Sequence, residues 1–406
     1  MEYESLLTLH YKDPEQVDTE YHARFNSPYC VHLDFDIHHS PAFYMYLPEM
    51  AQHMLQIYKT DRKIREIKHH LPGVAIEQFT RRCLIDEIVL TNNIEGVNST
   101  RKDIDNILDD LEQADKRKRF HGLVKKYVML QHDEDIPLTS CRDIRNIYDE
   151  LVLHEVMEED PADAPDGKIF RRNQVYVTSA TQKIIHEGVY PEENIIRLME
   201  KSLRYLQTDP SDLLIKISIL HYLIGYIHPF YNGNGRLSRF ISSYLLCQEC
   251  DPLLSYRLSY TIKENIKDYY ESFKVCNDAR CKGDVTPFVL MFLSVIGTAA
   301  DQLYKALKKR KSSLDYYLPL LSTMDFGGKE DQLCSLGFCL IQAALFSERG
   351  ISTRELLEIE NISRATLSKR LAFYNRLGLL TCSKYQNSKY YEMNLLHLQE
   401  SAGRTA

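Results

Sequence analysis

The segment Leu213–Ile227, LLIKISILHYLIGYI, is almost unbroken apolar sequence, and it runs directly into HPFYNGNGR, residues 228–236. A run of that length reads as a buried helix rather than a strand. Pro229 lacks an N–H and ends the helical pattern. Phe230 can plug back into the core. Gly233, Asn234 and Gly235 permit positive φ and close backbone approach. A second helix is expected from near Arg236. Its first N–H groups would have no intrahelical partner, and Arg236 and Arg239 would share its face. Free donors, a helix N-terminus and two guanidinium groups define an anion site, most simply a polyphosphate site. His228, at the rim, is placed to take a proton from a nucleophile attacking the bound phosphate. Without those neighbours the loop would be a glycine turn and His228 a hydrogen-bonded core histidine. The constellation favours the phosphate site.

The rest of the chain is read around that centre as mainly α. Residues 1–60 show weak periodicity, and Met50, Met54 and Ile57 then fall on one helix face. A helix ending near Thr91 to Asn93 is followed by a turn over Glu95 to Ser99. Ser99 or Thr100, with Asp103, starts the next helix. QVYVTSA, residues 174–180, is the best strand candidate in this half. Helices return at PEENIIRLMEKSLRYLQ, SDLLIKISILHYLIGYI and GRLSRFISSYLLCQEC, and over residues 261–275 and 285–307. The charged KALKKRKSSLD and the glycine-containing TMDFGGKED suggest a linker. The expected division is an N-terminal helical region 1–84, a catalytic domain 85–308, a linker 309–332 and a last domain 333–398.

That last domain reads as helix, helix, helix and hairpin. Gly350 closes the first helix, Ser352 or Thr353 with Glu355 opens the second, and Ser363 and Gly378 bound the third. The hairpin turns around Gln386 to Ser388. The pattern resembles a winged helix-turn-helix. Arg364, Lys369 and Arg370 on the third helix, with Lys384 and Lys389 beside the wing tip, are candidate DNA contacts. The same charges also fit a solvated helix in a protein-binding domain, and Glu355, Glu358 and Glu360 oppose the DNA reading.

Composition limits the alternatives. The formal net charge is −7, with 44% hydrophobic and 26% charged residues, so no bulk basic field draws the chain to nucleic acid. No long charge-free apolar run marks a membrane span, and no signal segment is read at the N-terminus. The 10 cysteines are scattered, which predicts a reduced, cytoplasmic protein. Cys247 and Cys250 have metal spacing, but Cys276 and Cys281 are too widely spaced to complete a zinc site. Buried thiols are the expectation.

HPFYNGNGRLSR resembles the signature of Fic-domain proteins, His-x-Phe-x-(Asp/Glu)-Gly-Asn-Gly-Arg-x-x-Arg, over a region of roughly residues 85–300. His228, Phe230, Gly233, Asn234, Gly235, Arg236 and Arg239 match, with Asn232 in the acidic slot. The resemblance implies a helical core with a small β-hairpin flap, the winged domain being separate. It also implies a protein adenylyltransferase, which moves AMP from ATP to a Ser, Thr or Tyr hydroxyl of a protein. His228 would be the general base. Gly233, Asn234 and Gly235 would line the phosphates, and Arg236 and Arg239 would bind them. Tyr269, Tyr270 and Asn277 match the nucleotide pocket, although two neighbouring tyrosines also suit a core. QVYVTSA would be the flap, an edge that pairs with the target backbone.

TNNIEG, Thr91 to Gly96, is similar to the inhibitory motif of the same family, (Ser/Thr)-x-x-x-Glu-(Gly/Asn). It implies that Glu95 pairs with Arg239 and competes with the γ-phosphate. Asn232 departs from the family at the residue that holds Mg²⁺ (or Mn²⁺), a metal that favours charged oxygen ligands. Three outcomes stay open: metal held mainly by the phosphates with slower transfer, another metal or phosphate donor, or nucleotide binding without efficient transfer. Glu95 could also activate water and remove AMP from a modified target. The chain is therefore expected to be an autoinhibited adenylyltransferase. The alternatives are a de-AMPylase, or a nucleotide-sensing DNA-binding regulator with a weak Fic fold. Residues 1–60 are expected either to pack against the Fic core or to build the face of a homodimer.

Overall fold

The computed structural model describes residues 3–109, 111, 119–132, 134–178, 184–324, 326, 330–385 and 388–402. In chain order the elements are α1 (Leu6–Lys12), α2 (Val17–Phe25), β1 (Cys30–Ile37), β2 (Ser40–Met45), α3 (Pro48–His69), α4 (Gly73–Ile94), α5 (Arg101–Asp109), α6 (His121–Met129), α7 (Cys141–Leu151) and α8 (Leu153–Glu159). There follow β3 (Tyr176–Thr178), β4 (Ile184–Glu187), α9 (Glu192–Thr208), α10 (Leu213–Ile227), α11 (Asn234–Glu249), α12 (Pro252–Ser255), α13 (Leu258–Glu264), α14 (Ile266–Cys276) and α15 (Thr286–Ser322). The last are α16 (Glu330–Phe346), β5 (Ile351–Ser352), α17 (Thr353–Glu360), α18 (Arg364–Arg376), β6 (Leu380–Tyr385), β7 (Ser388–Met393) and α19 (Leu395–Ala402). The protein is mainly α. It divides into two compact units, Met1–Asp61 with Leu84–Asp301, and Arg62–Cys83 with Gln302–Ala406.

In the first unit α10 is the central helix. Asp212 caps it by accepting the Leu214 N–H at 2.9 Å, and nearly every side chain from Leu214 to Ile227 is buried. It packs between α9 and α11. His221, midway along it, lies among Tyr269, Phe273, Phe288 and Phe292. A helix this apolar on all sides needs neighbours on all sides. α15 contributes to that core through the fully buried Phe288, Phe292 and Ile296. By length and composition α15 could span a membrane, contrary to the sequence expectation, and 56% of its apolar window is buried inside the protein.

The N-terminal region is not simply helical. β1 and β2 pair as an antiparallel hairpin, and in β1 Leu33, Phe35 and Ile37 are buried while Asp34 and Asp36 are exposed. The flap is likewise a hairpin, with Tyr176 opposite Glu187 and Val177 opposite His186. Ser179 and Ala180, in the expected strand, lie outside the described residues. The helix expected over 261–275 is broken at Asn265, which ends α13 and precedes α14.

The second unit joins Arg62–Cys83 to the C-terminal elements. Residues 309–322 are helix, not linker, since α15 continues through Ser322. Lysine, arginine and leucine favour helix there, and Lys311 pairs with Asp315 one turn on, at 2.6 Å. The boundary at 84 also moves, because residues 1–61 belong to the first unit. At the C-terminal end, α16, α17 and α18 accompany a three-stranded sheet of order β5–β7–β6. Ser352 and Glu355 form a capping box, Ser363 caps α18, and Gly350 and Gly378 take φ of +90° and +70°. The turn at Gln386 and Asn387 lies outside the described residues.

Candidate active site

The loop between α10 and α11 is built largely by its own side chains. His228 leaves α10 in the left-handed region, φ 52°, an uncommon conformation for a non-glycine residue and one that concentrates at functional sites. Phe230 is fully buried, stacked on Tyr148 at 3.6 Å and edge-on to Phe170. The Asn234 amide bonds both backbone groups of Phe230, accepting its N–H at 3.0 Å and donating to its carbonyl at 2.8 Å. Asn234 therefore shapes the cradle from below; its amide is not presented to a ligand. Gly233 is the one residue of the three expected at positive φ that adopts it, +80°. A Cβ there would lie 3.0 Å from Val152. α11 begins at Asn234, two residues earlier than expected, so Asn234 and Gly235 are helical.

The two arginines have opposite states. Arg239 is saturated: its Nε donates to Thr91 Oγ1 at 2.7 Å, and one Nη donates to the Thr91 carbonyl and to Glu95 Oε1, each at 3.0 Å. Burial works against its charge, but Glu95 and its other neighbours hold its pKa up. Arg236 is fully buried, yet none of its three guanidinium nitrogens has a hydrogen-bond partner among the described residues. Burial lowers its pKa, with Glu95, Glu155 and Glu159 pulling the other way. An unpaired buried guanidinium is costly unless an anion completes it. Arg236→Met is accordingly expected to leave the thermal midpoint unchanged or raised. Losing a charge-assisted bond worth about 1.5–3 kcal/mol would weaken binding of a polyphosphate anion roughly 10- to 100-fold. Calorimetry of the folded variant checks both.

Glu95 arrives by a defined local geometry. α4 ends in a pair of closing bonds, Val97 N–H to the Asn92 carbonyl at 3.0 Å and Gly96 N–H to the Asn93 carbonyl at 3.3 Å. Gly96 takes φ +75° with no side chain nearby, so it is a backbone requirement of this helix end. Glu95 is thereby turned toward α11. A Cβ on Gly235 would lie only 2.1 Å from Glu95 Oε1. Gly235 is therefore small because the carboxylate sits against it. An acid at the first turn of a helix, bound to an arginine, stands where a phosphate oxygen would.

His228 keeps part of its surface open. Burial of the ring, with His186 and Arg171 beside it, pushes its pKa down to about 3. A base lowered in this way is neutral at every pH above that value, and also a weaker proton acceptor than a free imidazole.

Two expectations change. Asn232 is not posed as a metal ligand: its Oδ1 accepts the Gly233 N–H at 2.7 Å and its Nδ2 faces Asp163 Oδ2 at 3.4 Å. No group of three or more His, Cys, Asp or Glu side chains suited to a metal occurs among the described residues. The residues present do not fit a protein-held Mg²⁺ or Mn²⁺ at position 232, and no step below passes through one. Tyr269 is buried, with its hydroxyl bonded to His221 Nε2 at 2.8 Å, and it lies beside Arg239 and Glu95, as does the half-exposed Tyr270. Asn277 ends α14 with Oδ1 accepting the Tyr222 hydroxyl at 2.8 Å. In the second unit, Arg370 is withdrawn from the DNA-facing set by Glu360, at 2.7 Å. Arg364 and Lys369 are exposed. Cys250, Cys276 and Cys281 are buried, and Cys247 is half-buried.

Residues 138–246 match the Fic/DOC family. The chain is 27% identical over 262 residues to "Protein adenylyltransferase Fic" of Drosophila ananassae, a match that covers 62% of this chain and 47% of that protein. The protein of the same name from Drosophila melanogaster is 27% identical over 230 residues, covering 54% and 42%. The chain thus spans about half the length of the curated relatives it matches. A crystal structure of a Fic family protein from Desulfovibrio desulfuricans G20 aligns with 86% of this chain and 96% of that one, at 20% identity and a TM-score of 0.49.

Proposed function

We propose that this protein transfers AMP from ATP to a serine, threonine or tyrosine hydroxyl of a protein, and that Glu95 holds it in an inhibited state. The supporting observation is the contrast between the two arginines, Arg236 bare and Arg239 taken up by Glu95 and Thr91. A triphosphate would complete the first, and its γ-phosphate reaches the in-line geometry for transfer only when Glu95 leaves the second. His228 takes the proton from the target hydroxyl, its oxygen forms the bond to Pα, and the Pα–O bond to diphosphate breaks. The half-exposed Tyr176 and Ile184 put the flap hairpin at the surface, where a target strand could pair with it. The test supplies Glu95→Gly protein with ATP labelled at either α or γ phosphate, with cell proteins and the enzyme itself as acceptors. AMP transfer labels protein from the α position alone. Label from γ alone would point to phosphate transfer and overturn the reading.

A second reading, a nucleotide-sensing regulator that binds DNA, draws on one observation in the C-terminal region, whose element order is that of a winged helix-turn-helix. Lys384 and Lys389 lie directly opposite each other on β6 and β7 and are both exposed. Like charges so placed repel, and a phosphate backbone would offset them. Arg364 and Lys369 would join them without Arg370. Under this reading duplex affinity falls steeply with salt, and Lys384→Ala with Lys389→Ala flattens that slope by about two units. Salt-independent binding, or none, would remove it.

A further inference from the structure

We propose that Arg171 is the positioning residue for His228: its guanidinium pins the loop carbonyls that set the histidine's left-handed turn, and ties them to the stem of the flap. The inference rests on the reading of His228 as the general base. Arg171 lies between α8 and the flap strand β3, in FRRNQVYV, and is fully buried. Its Nε donates to the carbonyl of His228 itself at 2.8 Å. One Nη donates to the Val189 carbonyl at 2.8 Å and lies 3.5 Å from the Ile227 carbonyl. The other donates to the Asn173 carbonyl at 2.5 Å. Its own N–H reaches the Pro229 carbonyl at 3.2 Å. Three consecutive residues of the loop, 227 to 229, are thus held by one side chain and its backbone.

The surroundings fit this task. The Gly188 N–H donates to Val175 and the Val189 N–H to Ile227, at 3.0 and 3.1 Å, and Tyr231 Oη accepts the Asn173 N–H at 2.9 Å. A Cβ on Gly188 would lie 2.5 Å from the Arg171 Nη and 3.2 Å from the His228 Cβ, so this glycine makes room for both. The hydrogen-bond acceptors found for the guanidinium are carbonyl oxygens. It therefore stays a net positive charge beside the imidazole, where it opposes protonation. Burial is the largest influence on the imidazole, followed by His186 of β4 and Arg171, with the Gly225 backbone opposing them. His186 is itself bonded to the Tyr226 carbonyl at 2.7 Å and held neutral by burial. Burial pushes the Arg171 guanidinium down to about 10, which leaves it charged at neutral pH. A planar fork meets three or four carbonyls at fixed angles; an ammonium cannot.

The test reads His228 directly as well as through turnover. The imidazole is followed by ¹⁵N NMR across pH, and AMP transfer is followed on the Glu95→Gly background. In Arg171→Met the His228 titration moves upward by about one unit or more, and kcat falls with little change in KM for ATP. Arg171→Lys restores the low titration but not kcat, which separates position from charge. Should neither variant fold, the wild-type protein still decides: a pinned guanidinium shows an Arg171 Nε–H that exchanges slowly with solvent. Fast exchange there, or folded variants with unchanged His228 titration and kcat, overturns the proposal. An unchanged kcat with a shifted titration rejects positioning alone. Absence of AMP transfer in Glu95→Gly itself faults the adenylyltransferase reading and leaves the NMR comparison standing.

Discussion

His228→Ala, made on the Glu95→Gly background, is expected to lower AMP transfer by about 10²–10⁴, the usual contribution of a positioned general base. ATP affinity should stay within a few-fold, because the phosphate contacts proposed here are Arg236, Arg239 and the start of α11. The low pKa of His228, about 3, adds a pH signature. The neutral form is the active one, so rate is lost only as pH falls through that value. Between pH 8 and 5 the imidazole contributes no slope of its own. Initial rates of α-label transfer across that range check this. A titration of the rate near pH 6.5 that disappears with His228→Ala would mean that the ring is far less shielded than its surroundings indicate.

Glu95→Gly is expected to raise AMP transfer by about 10²-fold, the scale on which a misplaced reacting group suppresses rate. The change is local. Glu95 caps α4 just before Gly96, and its carboxylate is 23% exposed against 1% for the Arg239 side chain. Its removal leaves Arg239 still bonded to Thr91 through Nε and Nη, so the arginine remains oriented while one donor is freed. Glu95→Gln separates charge from volume. The amide can still accept from Arg239 but no longer repels a phosphate, and its rate should fall between those of the glycine variant and the wild type.

The centre of the site was legible because its determinants are local. A long apolar run, a proline, and glycines beside two arginines specify helix, loop and helix within one stretch. The end of α4 was legible for the same reason, since Gly96 and the residues before it close their own helix. The β1–β2 hairpin was equally local and was missed. Leu33, Phe35 and Ile37 alternate with Asp34 and Asp36 as a half-buried strand should, but flanking prolines, histidines and tyrosines blur the pattern. Position 232 could be flagged as a departure from the family pattern, yet only the fold shows that its amide is spent on the Gly233 N–H and Asp163. The partner of Tyr269 and the role of Arg171 were beyond sequence reasoning. Tyr269 meets His221 across 48 positions and Arg171 meets His228 across 57, and no spacing rule encodes such pairs. The linker expected at 309–332 failed differently, because a charged run can be a linker or a solvated helix and only packing decides.

The central claim is that Glu95 occupies the place of a phosphate at Arg239. The most direct measurement compares the initial rate of α-label transfer to protein by the wild-type chain and by Glu95→Gly, with ATP affinity measured alongside. A rate about 10²-fold higher in the variant, with affinity changed only a few-fold, is the predicted result. Equal rates in two folded proteins that both bind ATP would contradict it.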